Sequence, residues 1–242
     1  MLGPGELPDL GRTFWLAVSG AAVLQILGTM SLLQSFRIRD FAVGTIYSKT
    51  EVLFVGVASA LVLSEPLGWL SWVGAVISLV GVAWLASNGS LRQRLSGGFD
   101  PAARYGVLAA LLFGVTAVLI RGAASSLEGT AVDRAMITLA VMLTIQSAVQ
   151  GSAIARSTTS SLRAVGQAWR QAWPVGVLSL AGSAAWALAM TLENAARVRT
   201  LGQIEIVFAF AIGILIHREA HHWDEYVASA IVTGGVTLLV IA

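Results

Sequence analysis

The 242-residue sequence contains no cysteine, only three histidines and five prolines, and just 12% of its residues are charged. Without thiols there can be no disulfide, cysteine nucleophile, Cys-ligated zinc or iron–sulfur cluster. An average soluble domain is about a quarter charged, so this share, beside 56% hydrophobic residues, argues against disorder and against a water-soluble globule. The net charge is +2, with no basic patch large enough to suggest nucleic acid. A Ser-His-Asp grouping, a glycine-rich phosphate loop and an ATP motif are also missing, so neither covalent catalysis nor ATP-driven pumping is indicated, and no cofactor is expected.

Long apolar runs dominate instead, with a mean hydropathy of +0.78. A hydrocarbon core of about 30 Å needs about 20 apolar residues to cross it as a helix. Eight such runs stand out, at 13–36, 41–63, 67–87, 105–120, 131–153, 172–192, 200–216 and 223–242. They are apolar on every side, unlike the alternating strands of a barrel, so the expected fold class is an all-α polytopic bundle of eight transmembrane helices in a lipid bilayer. Seven of the eight tryptophans fall near the ends of these runs, as an interfacial belt; Trp186 lies in mid-span.

The chain also repeats itself. Residues 49–87 align without gaps onto 203–241 at an offset of 154, with ten identities that include Glu51/Glu205, Glu65/Glu219, Trp69/Trp223 and Gly81/Gly235. Upstream, Met30/Met190, Leu32/Leu192, Arg37/Arg197 and Arg39/Arg199 match at an offset of 160, which places a six-residue difference around Asp40 to Ile46. Equivalent spans are five helices apart, and an odd number makes the second copy cross the membrane in the opposite sense. Inverted repeats of this kind are characteristic of secondary transporters, which place their site at the repeat interface.

The run SFRIRDFAVGTIYSKTEVLFVGVASALVLSEPLGWLSWVGAVISLVGVAWLA and its partner TLENAARVRTLGQIEIVFAFAIGILIHREAHHWDEYVASAIVTGGVTLLVIA resemble the last three helices of the two EamA-type repeats in the drug/metabolite transporter superfamily. The resemblance implies an exporter or exchanger of a small organic metabolite, working by alternating access in a bacterial inner membrane. It also implies a 3 + 5 arrangement, with an incomplete first repeat at 13–87 and a second repeat at 104–242. The expected partners are lipid and a small solute, with protons as a second candidate.

A charge at a helix centre costs about 2.5–3.5 kcal/mol on insertion scales, so charges inside apolar runs mark candidate sites. Glu51 and Glu205 are the clearest, as groups that bind a substrate amine or carry a coupling proton. Tyr47 lies one turn from Glu51, and Lys49 and Gln203 complete a polar girdle, while Gln25 and Trp186 are mid-span groups suited to a solute. Glu65 and Pro66 in SEPL, with Glu219 in the second copy, read as helix-capping residues, because proline suits the first helical position and an acid suits the positive end of the dipole. Two other readings compete with transport. One is a truncated, non-transporting membrane fragment; the other is a metal-binding membrane enzyme using the loop from His217 to His222, although three histidines are too few for a di-iron site.

Overall fold

The computed structural model describes residues 10–38, 41–86, 101–157, 159–212 and 223–241. Every regular element among them is helical: α1 (Arg12–Ile38), α2 (Phe41–Ser48), α3 (Glu51–Val62), α4 (Trp69–Ala86), α5 (Pro101–Ser125), α6 (Ala131–Ser157), α7 (Thr159–Leu192), α8 (Ala195–Gly202), α9 (Glu205–Ile212) and α10 (Trp223–Ile241). Five stretches are long and apolar enough to cross a membrane: Arg12–Ile38, Gly44–Val62, Pro101–Ser125, Ala131–Arg156 and Gly166–Leu192. Trp69–Trp84 and Tyr226–Leu239 are shorter apolar helices. The chain is thus an all-α polytopic bundle.

Helix boundaries recur at the offset of 154. Phe41–Ser48 matches Ala195–Gly202, Glu51 matches Glu205, Trp69 matches Trp223, and Ile38, which ends α1, matches Leu192, which ends α7. The offset of 160 expected upstream is therefore not a structural register. It pairs Arg37 in the last turn of α1 with Arg197 inside α8, two different elements. Two further expectations need correction. The loop expected at 154–171 is helix apart from residue 158, which lies outside the described set, because α6 and α7 continue past their apolar runs. The spans at 41–63 and 200–216 are interrupted, at Lys49–Thr50 and at Gln203–Ile204.

Both interruptions are tight turns. Thr50 N–H donates to the carbonyl of Tyr47, three residues back, and Gln203 and Ile204 donate in the same way to Thr200 and Leu201, so the backbone tightens to a 3₁₀ turn at each point. In the first, the Ser48 hydroxyl donates to the Thr45 carbonyl at 3.0 Å and the Thr50 hydroxyl to the Tyr47 carbonyl at 2.6 Å, a back-bonding that bends helices.

The chain divides into two compact units, Met1–Val23 with Leu119–Glu193, and Leu24–Val118 with Asn194–Ala242. These units cut across the sequence repeats. In the first, Phe14, Val18, Ala21 and Ala22 of α1 form a buried core with Ala123, Leu127 and Met142, and Ala135 and Leu139 of α6 pack with Ala187 of α7. Gln146 donates to the Ala22 carbonyl at 3.4 Å, a cross-helix polar bond. The Arg121 guanidinium donates to the carbonyls of Met190 and Glu193 at 2.9 and 2.6 Å, satisfying the open end of α7.

In the second unit, α4 and α10 approach closely enough for backbone contact. A Cβ placed on Gly81 would lie 2.7 Å from the Val232 nitrogen and 3.0 Å from the Ala228 oxygen, and one placed on Gly235 would lie 2.5 Å from the Ser78 nitrogen and 2.7 Å from the Gly74 oxygen. Exchanging the two copies at the offset of 154 turns the second trio (Gly235, Ser78, Gly74) into the first (Gly81, Val232, Ala228), so the contact is two-fold related. Position numbers rise along one helix as they fall along the other, and the equivalent helices therefore run antiparallel. Only glycine permits this backbone approach, and in a membrane such contacts drive helix association.

The acid–proline segment behaves differently from the capping arrangement expected of it. α4 begins at Trp69, three residues beyond Pro66, so proline does not occupy its first position, and Trp72 N–H donates to the Gly68 carbonyl. Glu65 instead accepts from the Asn194 amide, at its backbone oxygen (3.1 Å) and at Oε2 (3.4 Å), while Asn194 caps α8 by accepting from Ala196 N–H at 2.8 Å. Glu65 thus ties the end of α3 to the start of α8. Glu219, His217, His221 and His222 lie outside the described residues.

Candidate functional site

The second unit contains a cavity of about 430 Å³ beside both helix interruptions. Its polar wall comes from Gln25 of α1, Thr45 and Ser48 of α2, Lys49, Glu51, Arg199 of α8 and Glu205; Leu32 and Phe36 of α1 and Phe113 of α5 supply the apolar wall. Gln25, Leu32 and Phe36 share one face of α1 by helical spacing. Phe113 reaches this region because Gly28 gives it room: a Cβ on Gly28 would lie 2.8 Å from its ring.

The four charged residues are paired across the repeats. Lys49 Nζ donates to Glu205 Oε1, and Arg199 Nη1 lies 3.4 Å from Glu51 Oε1. The pairs differ in cover. Arg199 and Glu51 are 18% and 12% exposed, whereas Lys49 is 18% and Glu205 57% exposed. Each glutamate stands in the first turn of its helix, α3 or α9, where the dipole favours an anion, and each interacts with a cation of the other repeat, Lys49 within the first interruption and Arg199 one turn before the second. The formal charges of the group sum to zero.

The remaining residues singled out from sequence are dispersed. Gln203 occupies the position equivalent to Lys49 but is 2% exposed; it accepts from the Ser78 hydroxyl and donates to the Lys49 carbonyl at 3.5 Å. It braces the interruption against α4 and lies off the cavity wall. Tyr47 packs against Gly106, where an added Cβ would stand 2.6 Å from the Tyr47 Cβ. Trp186 is half-buried on α7 in the other unit. Gln25, Lys49, Glu51 and Glu205 are therefore brought together, and Tyr47, Gln203 and Trp186 are not. Arg199, Thr45, Ser48, Phe36 and Phe113 are wall residues that the sequence reading passed over. Arg199 carried a visible signal, a cation at the edge of an apolar run, but its apparent match to Arg39 concealed it. Among the described residues no cluster of three or more His, Asp or Glu side chains is placed to hold a metal.

Comparison with known proteins agrees with this architecture. Residues 3–87 match the EamA-like transporter family. A solved crystal structure aligns with 96% of this chain and 77% of its own, at a TM-score of 0.69 and 17% identity, which establishes a shared fold. No curated protein matches the chain. The resemblance read from the sequence thus holds over residues 3–87 of this multi-pass helical chain, which are similar to the EamA-like transporter family.

Proposed function

We propose that this chain carries a small organic solute across the bacterial inner membrane by alternating access, as an exporter or exchanger, with the cavity beside the two interruptions as its solute site. The observation that carries the reading is the cross-repeat pairing of Lys49 with Glu205 and of Arg199 with Glu51 at one cavity. Four charges gathered at the breaks in two otherwise apolar runs need a reason, and interrupted helices in an inverted repeat are where secondary transporters bind substrate and coupling ions. Glu51 and Glu205 are the binding or proton-carrying groups in this proposal, with Lys49 and Gln25 beside them. Gln203 supports the site through Ser78 and the Lys49 backbone, and Tyr47 through its packing on α5.

The test is counterflow of a labelled metabolite panel in vesicles containing the purified chain. Wild type is expected to exchange at least one solute, and the Glu51→Ala/Glu205→Ala double variant, inserted to the same level, to lose that exchange. Undiminished exchange by the double variant would refute the site.

A further inference from the structure

We propose that the solute-free chain is held in the state seen here by a one-sided latch, in which the Asn194 amide and the Arg199 guanidinium tie α8 to α3, and that the opposite-facing state has no equivalent latch. This rests on the transport reading for the existence of two facing states and adds which of them the chain favours and why.

The first step is geometric. In an inverted repeat, exchanging the conformations of the two copies turns a cavity that faces one side of the membrane into one that faces the other. Every contact between the copies then has a counterpart between the residues 154 positions away. Here α3 packs on α8, with Val52, Val55 and Ser59 of α3 and Ala195, Ala196 and Val198 of α8 buried. The cavity wall instead takes in Thr45, Ser48 and Lys49 together with Glu205. The equivalent glutamates repeat the asymmetry, since Glu51 is 12% exposed beside α8 and Glu205 is 57% exposed. The α3–α8 side is closed, and the side of Lys49 and Glu205 is open.

The second step is the chemistry of the ties. Asn194 donates to the Glu65 backbone oxygen, and Arg199 lies beside Glu51. Moved by 154 positions, the two donors become Asp40 and Thr45, and the two acceptors become Glu219 and Glu205. A carboxylate has no N–H to donate, and a threonine hydroxyl carries no charge. Exchange of the copies thus forfeits both ties. It also forfeits the Lys49–Glu205 pair, whose counterpart joins the neutral amide of Gln203 to Glu51. All three differences favour the same state, so the chain loads from the side of Lys49 and Glu205.

The third step is that the latch releases without melting a helix. Asn194 uses Oδ1 to cap α8 and Nδ2 to reach Glu65, so the cap survives when the tie breaks. The latch shifts the population of facing states and leaves the direction of net transport to the gradients.

Because the chain has no native cysteine, a single engineered thiol reports the opening. Val198 is buried and lies one turn from Asn194 on the same face of α8. In the full Val198→Cys chain in lipid nanodiscs, the rate of labelling by a membrane-impermeant maleimide follows the population open on the α3–α8 side. Asn194→Asp is the sharpest variant, since aspartate still caps a helix but has no N–H for the Glu65 carbonyl. It should accelerate labelling about fivefold or more, the factor that corresponds to one hydrogen bond. Glu51→Gln, which removes the charge from the second tie, should accelerate it as well. A thiol placed by Val236→Cys, at a position packed with Val82 and Val232, should react no faster in either variant, because opening one side leaves the α4–α10 seam closed. Size-exclusion profile and helicity report whether each variant folds. Unchanged labelling of Val198→Cys in both variants, or equal acceleration at Val236→Cys, overturns the proposal. Counterflow of the metabolite panel tests the transport reading separately. Labelling that responds to the ties without counterflow of any solute upholds the latch and refutes transport, and counterflow with labelling indifferent to the ties does the reverse.

Discussion

The two helix interruptions share one geometry and have different chemistry. Each lies between a short helix of eight residues and a helix that opens on glutamate, and the two sites are 154 positions apart. At the first, Lys49 lines the cavity and pairs with Glu205. At the second, the equivalent Gln203 is buried and is held by Ser78. The position equivalent to Ser78 is Val232, which has no hydroxyl to offer Lys49. One repeat therefore presents its interruption to the cavity and the other secures its interruption to the α4–α10 seam. Two-fold symmetry governs the backbone, and one amino-acid difference at each of two positions divides contact with solute from support.

The seam offers the most severe way to break that comparison. Gly235→Val forces methyl groups into a space where even a Cβ would lie 2.5 Å from the Ser78 nitrogen, and overpacking of this kind costs about 1–3 kcal/mol or more. The loss should reach the second interruption through Ser78, so thermal unfolding in detergent is expected to fall by several degrees with loss of any solute binding. The adjacent Gly234 has nothing within 4 Å of its Cβ position, and Gly234→Ala should be neutral or stabilising by up to about 1 kcal/mol. Equal damage from the two variants would mean that the seam is not the frame of the site.

A smaller effect separates the interruptions themselves. Gln203→Leu removes the bond from Ser78 and the bond to the Lys49 carbonyl, each worth about 1 kcal/mol in a membrane interior. Stability should fall by about 1–2 kcal/mol while solute affinity changes little. Lys49→Gln should do the reverse, reducing affinity about tenfold or more with stability nearly kept. Chemical denaturation and titration on the same preparations read both quantities, and a common pattern in the two variants would erase the proposed division of roles.

Much of this was legible in the sequence, for physical reasons. A bilayer requires long apolar helices, so the spans could be counted from hydropathy, and a carboxylate inside an apolar run is conspicuous, so Glu51 and Glu205 stood out without coordinates. The interruptions were hidden because YSKTE and LGQIE contain no proline, and a 3₁₀ turn leaves hydropathy unchanged. Pairing was hidden for another reason: which cation meets which glutamate depends on the crossing of the repeats, and Arg199 looked like the copy of Arg39 until helix ends set the register at 154. Phe36 and Phe113 read like any lipid-facing residue, since composition alone does not show which side of a helix borders a cavity. Glu65 was read as a cap because it precedes proline, yet three residues separate it from the helix it was expected to cap.

The mildest test concerns how the helix after the first interruption ends. Ser64 has φ 55°, in the left-handed region that a side chain disfavours, and it occupies that region because the chain turns sharply after α3, with Glu65 N–H donating to the Ser59 carbonyl at 3.1 Å. The same turn carries the Glu65 carbonyl to Asn194 and so ties α3 to the start of α8. Ser64→Gly removes the steric conflict but gives the unfolded chain more freedom, two opposed terms of which the first should prevail at a position of positive φ, for a net gain of up to about 1 kcal/mol. Asn194→Ala leaves the turn strained and deletes both its tie and the cap of α8, at a cost of about 1 kcal/mol. If the two changes are coupled through the turn, the glycine variant should recover part of the alanine loss in a double-mutant cycle. Strict additivity would mean that the turn and the tie are independent, and that the second repeat's interruption is secured by the α4–α10 seam alone.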